Sequence, residues 1–292
     1  MSLIDDWERL GEYRELRGNR IFVVDRAAGG AEAAEPVLVL HGFPTCSFDW
    51  RAPAASLARR RRVIMLDFLG FGLSAKPDRR YSLFEQADIV EALAAALGLD
   101  TVTLVSHDMG DSVAGELLAR SIEGGLDFGI TGRVLTNGSI YLDMAHLTDG
   151  QQMLLAMPDE MVPEESAFPP ELLSAALRAT LAADANVPEP ELRALAELIV
   201  REDGNRVLPR TIRYIEERRQ HEGRWTGAIE RHPSPLTIIW GDADPIAVWP
   251  MAERLHAARP DATLVRLEGI GHYPMIEAPD AFGAALEHAL DN

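Results

Sequence analysis

The chain has 292 residues, enough for one large α/β domain with an insertion or for two ordinary domains, and 47% of them are hydrophobic, as in a globular protein. With 46 acids against 28 lysines and arginines, its formal charge of −18 excludes nucleic acid and anionic membrane as partners and suits a neutral or cationic small molecule, bound by a monomer or small homo-oligomer. The single cysteine, Cys46, excludes an internal disulfide framework and makes a reducing cytoplasm the expected location, while neither a leader nor a membrane-length apolar run is read in the sequence.

In chain order, Gly18 to Asp25 reads as a strand and Ala27 to Glu35 as a small-residue turn. A second strand, Pro36 to Leu40, runs into His41-Gly42-Phe43-Pro44-Thr45, where glycine lets the backbone turn and proline fixes the next φ. Ser47 to Arg59 is expected to be helical. Arg62 to Asp67 is apolar without alternation, as for a strand covered on both faces of a parallel sheet. The FLGFGLSAKP loop brings Gly70, Gly72 and Lys76 together like a phosphate cradle, but it lacks the Walker spacing and no helix starts on it. Tyr81 to Leu97 has a helical period.

Thr101 to Val105 reads as a buried strand that breaks at Ser106-His107-Asp108-Met109-Gly110, after which helical spacing begins. Small residues at Ser106 and Gly110 allow a tight strand-to-helix bend, which places Asp108 at its tip. A carboxylate there is ionised at neutral pH and able to attack carbon directly, although an acid in the first turn of a helix is also favoured by the macrodipole alone. Arg133 to Asn137 is another short strand. From Asn137 to Ser234 strand signals vanish and amphipathic helices take over at Leu147 to Leu155, Glu171 to Leu181, Glu189 to Arg201 and Pro209 to Gln220. Strands return at Leu236 to Trp240 and Ala262 to Leu267. The first runs into Gly241-Asp242-Ala243-Asp244-Pro245 and the second into Gly269-Ile270-Gly271-His272-Tyr273-Pro274.

The bend with an acid at its tip resembles the nucleophile elbow of the α/β-hydrolases, with aspartate where esterases and lipases carry serine. Nucleophile, acid and histidine also follow in that family's chain order, each just after a strand end. The resemblance covers about Val37 to Leu286 and implies an α/β-hydrolase fold: a mostly parallel, doubly wound sheet, with core residues 1–138 and 234–292 and an inserted all-helical lid at 139–233. It implies a triad of Asp108, His272 and Asp244, with Asp242 as rival for the acid and Asn137 as a second, uncharged orienter. The backbone N–H groups of Phe43 and Met109 would form the oxyanion hole. Asp108 would form an ester with substrate, and a water activated by His272 and Asp244 would hydrolyse it, with no metal or organic cofactor.

The branch it resembles contains the epoxide hydrolases and haloalkane dehalogenases. Within it, HGFPTCSFDW, DFLGFGLSAKP, SHDMGD, TIRYIEERR and GHYPMIEAP are similar to the mesoderm-specific transcript proteins and their bacterial relatives. Dehalogenases hold the halide with side-chain donors where this sequence has Met109 and Phe43, which have none. Epoxide hydrolases use lid tyrosines on the departing oxygen, and Tyr214 resembles the second of these. Met153 lies near the place of the first, leaving Tyr141 or His146 as substitutes. His41, Phe43 and His107, which border the elbow, complete the candidate contacts to a largely apolar, electrophilic small molecule. The expected activity is opening of an epoxide to a diol. The alternatives are dehalogenase-like or esterase-like hydrolysis, or a ligand-binding protein that keeps the fold without turnover.

Overall fold

Eight strands form one sheet: β1 (Glu12–Leu16), β2 (Asn19–Arg26), β3 (Ala34–Leu40), β4 (Arg61–Leu66), β5 (Thr101–His107), β6 (Gly129–Thr136), β7 (Leu236–Gly241) and β8 (Thr263–Leu267). They lie in the order β1-β2-β4-β3-β5-β6-β7-β8 in the computed structural model, which describes residues 2–29 and 34–291. From β4 to β8 every pairing is parallel, and β1 and β2 add antiparallel at one edge. The parallel strands are apolar because helices cover both faces, and Val37, Leu38, Ile64, Met65, Leu104 and Val105 are all buried. Of the small-residue turn expected at Ala27 to Glu35, Gly30 to Ala33 lie outside the described residues.

The helices α1 (Leu3–Glu8), α2 (Arg51–Leu57), α3 (Leu83–Leu97) and α4 (Met109–Glu123) precede the insertion. The helix expected over Ser47 to Arg59 is a 3-10 turn, Ser47–Trp50, followed by α2. Both the amide and the hydroxyl of Ser47 donate to Asp67, the residue between β4 and the FLGFGLSAKP loop, which fixes the entry to this segment. Pro53 falls within the first turn of α2, where a missing N–H costs no helical bond.

Between β6 and β7 the described chain contains helices and loops only: α5 (Asp149–Ala156), α6 (Pro170–Arg178), α7 (Glu189–Val200), α8 (Leu208–Thr211) and α9 (Tyr214–Arg231), with short 3-10 turns among them. The helix expected over Pro209 to Gln220 is thus two helices, and Arg213 ties their joint to the carbonyls of Pro209 and Leu155 at 2.9 and 3.0 Å. Helix α9 runs on to Arg231 because it packs tightly along α4, where a Cβ on Gly115 would lie 2.9 Å from that of Trp225. The remaining helices, α10 (Trp249–Ala258), α11 (Pro274–Glu277) and α12 (Pro279–Asp291), return the chain to the sheet. The parallel strands deliver their following loops to one edge, which the helical insertion covers.

Candidate active site

Strand β5 ends at His107 and α4 begins at Met109, so Asp108 alone makes the bend, at φ 48 and ψ −110. That left-handed conformation strains a residue with a side chain, and it persists because neighbours over-determine it. A Cβ at Gly110 would sit 2.5 Å from the Leu40 carbonyl oxygen, so glycine is what lets α4 approach the end of β3. A Cβ at Gly42 would come within 2.8 Å of that of Asp108, so the same requirement holds for the loop after β3. The close approach brings the amide of Phe43 to Asp108, donating to Oδ2 at 2.9 Å. Asp108 is 2% exposed.

The loops after β7 and β8 supply the next pair. His272 Nδ1 lies 2.8 Å from Asp244 Oδ2, and the other Asp244 oxygen accepts from the amides of Ile246 and Ala247 at 2.7 and 3.0 Å. Asn137, after β6, donates to Asp244 Oδ2 at 2.8 Å, so it holds the acid. Asp242 faces elsewhere: it accepts from Arg266 and from the Gly269 amide, both at 2.7 Å. Burial disfavours the imidazolium of His272, but the charge and hydrogen bond of Asp244, with the charges of Asp108 and Glu277 behind them, outweigh it and raise the pKa to about 9.

A cavity of about 620 Å³ lies between the insertion and this edge, bounded by Phe43, His272 and Tyr273 on one side and by Leu154, Phe168 and Leu177 among others on the other. Tyr214 is buried, with its ring 5.5 Å from that of Phe43. Burial, and then the charge of Asp108, raise its phenol well above the ordinary value, and no hydrogen bond among the described residues engages its hydroxyl. Met153, near the place of the expected first lid tyrosine, borders the cavity.

Of the six candidate contacts Phe43 alone borders the cavity; Tyr214, like Asp108, is not among the residues that bound it, and the other four are held elsewhere. His41 is buried, its Nε2 accepting from the Phe68 amide at 2.9 Å and its Nδ1 facing the Gly42 carbonyl at 2.8 Å, so both ring nitrogens brace the loop. Burial holds its pKa down at about 3, and the neutral ring can serve both bonds. His107 points its Nε2 at the carbonyl oxygen of His272, 2.8 Å away, supporting the histidine loop from behind. Tyr141 donates to Glu230 at 2.8 Å under the Arg254 guanidinium, and His146 is exposed. None of these four borders the cavity, because loop residues with the right chemistry are turned by contacts distant in sequence.

Sequence reading also passed over three residues. Tyr273 borders the cavity and donates its hydroxyl to the Phe43 carbonyl at 2.9 Å; its place directly after His272 is the signal that could have found it. Glu277 accepts from the amides of Gly271 and Tyr273, on either side of His272, at 2.9 and 3.1 Å, and from Ala182 of the insertion at 2.9 Å. Asp111 is buried, bonded to the Ser106 hydroxyl, and burial pushes its carboxyl well up. No spacing in the sequence announces these last two.

The chain matches the family model described as "Alpha/beta hydrolase family" over residues 37–285. It is 37% identical to the "Putative hydrolase LipZ" of Mycobacterium tuberculosis, across 99% of this chain and 98% of that protein. The mesoderm-specific transcript protein of Mus musculus is likewise 37% identical, across 96% of this chain and 85% of its own length. Among solved structures, a haloalkane dehalogenase loop variant from Bradyrhizobium elkanii superposes with a TM-score of 0.75 over 96% of each chain, at 22% identity, a likeness of fold alone.

Proposed function

The chain belongs to the alpha/beta hydrolase family, and from that premise we propose that it is a hydrolase whose nucleophile is the Asp108 carboxylate and whose substrate is an apolar epoxide, opened to a vicinal diol. The observation that carries the nucleophile is the 2.9 Å bond from the Phe43 amide to Asp108 Oδ2. It holds one oxygen at a backbone donor, which supports a reading in which the other forms the bond to carbon. In the ester so formed, the carbonyl oxygen stays at the Phe43 amide, where charge develops when water adds. The Met109 amide, at the start of α4, is the second donor in this reading.

The helical insertion acts as the lid and carries Tyr214 to the site. Asp108 attacks a ring carbon, the carbon–oxygen bond opens, and the departing alkoxide takes the Tyr214 proton. A phenol raised by burial and by Asp108 stays protonated until that moment. His272 then takes a proton from water, which adds to the ester carbonyl. The tetrahedral adduct collapses, the diol leaves with the imidazolium proton, and the proton of the re-formed carboxyl restores Tyr214. The cytoplasm is the proposed location, on the strength of one buried cysteine, Cys46.

Esterification removes one of the negative charges that keep His272 protonated, so its proton affinity drops as it becomes the base. The acid limb of kcat is therefore expected to have its midpoint below the value of about 9 in the free site. It lies above the ordinary histidine value of about 6.5, because Asp244 remains. Steady-state rates at saturating styrene oxide across pH 5 to 10 check this, and a kcat that falls as pH rises contradicts it.

Tyr214→Phe tests the epoxide reading. Removing a general acid costs about 10² to 10⁴ in rate, so kcat for styrene oxide is expected to fall by at least about 10² with the melting temperature unchanged. Undiminished turnover removes the epoxide preference. Halide release from 1-bromobutane or cleavage of p-nitrophenyl butyrate, without styrene oxide turnover, moves the reading to those alternatives. Saturable binding of such compounds without turnover or adduct supports the non-catalytic one.

A further inference from the structure

The proposed reaction leaves unused a buried guanidinium that touches the candidate nucleophile itself. Arg218 is 4% exposed, and its three hydrogen-bond acceptors are neutral: the Ser112 hydroxyl at 2.6 Å, the Asp108 carbonyl at 3.2 Å and the Ser139 carbonyl at 3.3 Å. Burying a guanidinium on neutral partners is costly; Arg133 is buried the same way far from the site, and what distinguishes Arg218 is that one of its acceptors is the backbone of Asp108. Arg218 stands four residues after Tyr214 on α9, on the same face of that helix, with its guanidinium carbon 5.0 Å from the centre of the Tyr214 ring. One side chain from the lid thus holds the backbone of the candidate nucleophile and braces the candidate proton donor.

We infer that Arg218 is a positioning residue that makes the geometry of ester formation conditional on the docked lid, by fixing the strained Asp108 backbone and the Tyr214 ring together. The inference rests on the proposed role of Asp108 and Tyr214. Within the bend the Asp108 carbonyl also accepts from the Asp111 amide at 3.1 Å, so the lid contributes a second restraint where φ is unfavourable for a side chain. Docking of α9 has supports besides Arg218. One turn or two further on, Arg224 and Trp225 both bond Glu116 of α4, at 2.7 and 2.8 Å, and Gly115 admits the Trp225 backbone. Variants at 218 should therefore keep the lid in place.

The test measures ester formation alone, in a His272→Gln background, by quenched intact-mass analysis with styrene oxide as probe. Arg218→Lys keeps the charge but loses the fork of donors, and it is expected to slow adduct formation at least fivefold with the half-saturating concentration unchanged. Arg218→Ala is expected to be slower still and to recover part of its rate in millimolar guanidinium, which a purely structural role would not allow. Formation within fivefold of the parent in the lysine variant, a change confined to half-saturation, or a slowdown matching lost folded fraction each overturns the inference. Absence of any adduct in the His272→Gln parent is a different result: it removes the nucleophile reading, and this inference with it.

Discussion

Asp108→Ala is expected to turn over no substrate of the wild-type protein, with kcat reduced by at least about 10⁴ and no covalent adduct under any condition. The size follows from the role. A methyl group offers neither the attacking oxygen nor the oxygen held 2.9 Å from the Phe43 amide, so both the bond-forming atom and the seat of developing charge are lost. The fold should survive, since the Asp108 carbonyl keeps its bonds from Arg218 and the Asp111 amide and the tight contacts at Gly42 and Gly110 are untouched. Asp108→Asn is the weaker comparison, because a slow amide hydrolysis would regenerate the wild type. Rate assays on freshly purified protein, paired with melting curves, check the result.

His272→Gln separates the two half-reactions. Ester formation uses Asp108 and Tyr214, while hydrolysis needs a base for water, so the variant is expected to gain the mass of one substrate molecule and keep it. Steady-state turnover should drop by about 10² to 10⁴, the usual contribution of a general base. Glutamine retains a side chain in the space beside Asp244, which keeps its bonds to Ile246, Ala247 and Asn137. The acid loop therefore has its own supports in the variant. Intact-mass spectra before and after addition of styrene oxide read the outcome. An unlabelled variant with undiminished turnover would assign the histidine no part in the second step.

The sheet was legible because its strands are short apolar runs punctuated by glycine, and each candidate reacting group follows directly on a strand end. The bend at Asp108 was legible for the same reason: Ser106 and Gly110 flank it, and the contact at Gly110 is the close approach that small residue permits. Strand β1 was not. Its sequence, Glu12–Leu16, is an exposed edge with only Leu16 buried, so no apolar period marks it. Helix α9 begins and ends where tertiary contacts decide, at the Arg213 joint and along α4, which local periodicity does not encode. The misplaced contacts have one cause in common. His41, His107 and Tyr141 carry groups suited to a site, yet each is turned by a partner distant in sequence: the Phe68 amide, the His272 carbonyl and Glu230. Asp244 and Asp242 stand two residues apart in one loop, and only the fold directs the first to the imidazole and the second to Arg266.

The oxygen that leaves in the product traces the bond directly. With enzyme in excess over styrene oxide in H₂¹⁸O, the first turnover is expected to give unlabelled diol, its new oxygen drawn from Asp108, while the peptide containing Asp108 gains one ¹⁸O. Label in the diol at the first turnover, with that peptide unchanged, would mean that water attacks the substrate itself and that the carboxylate forms no bond to carbon.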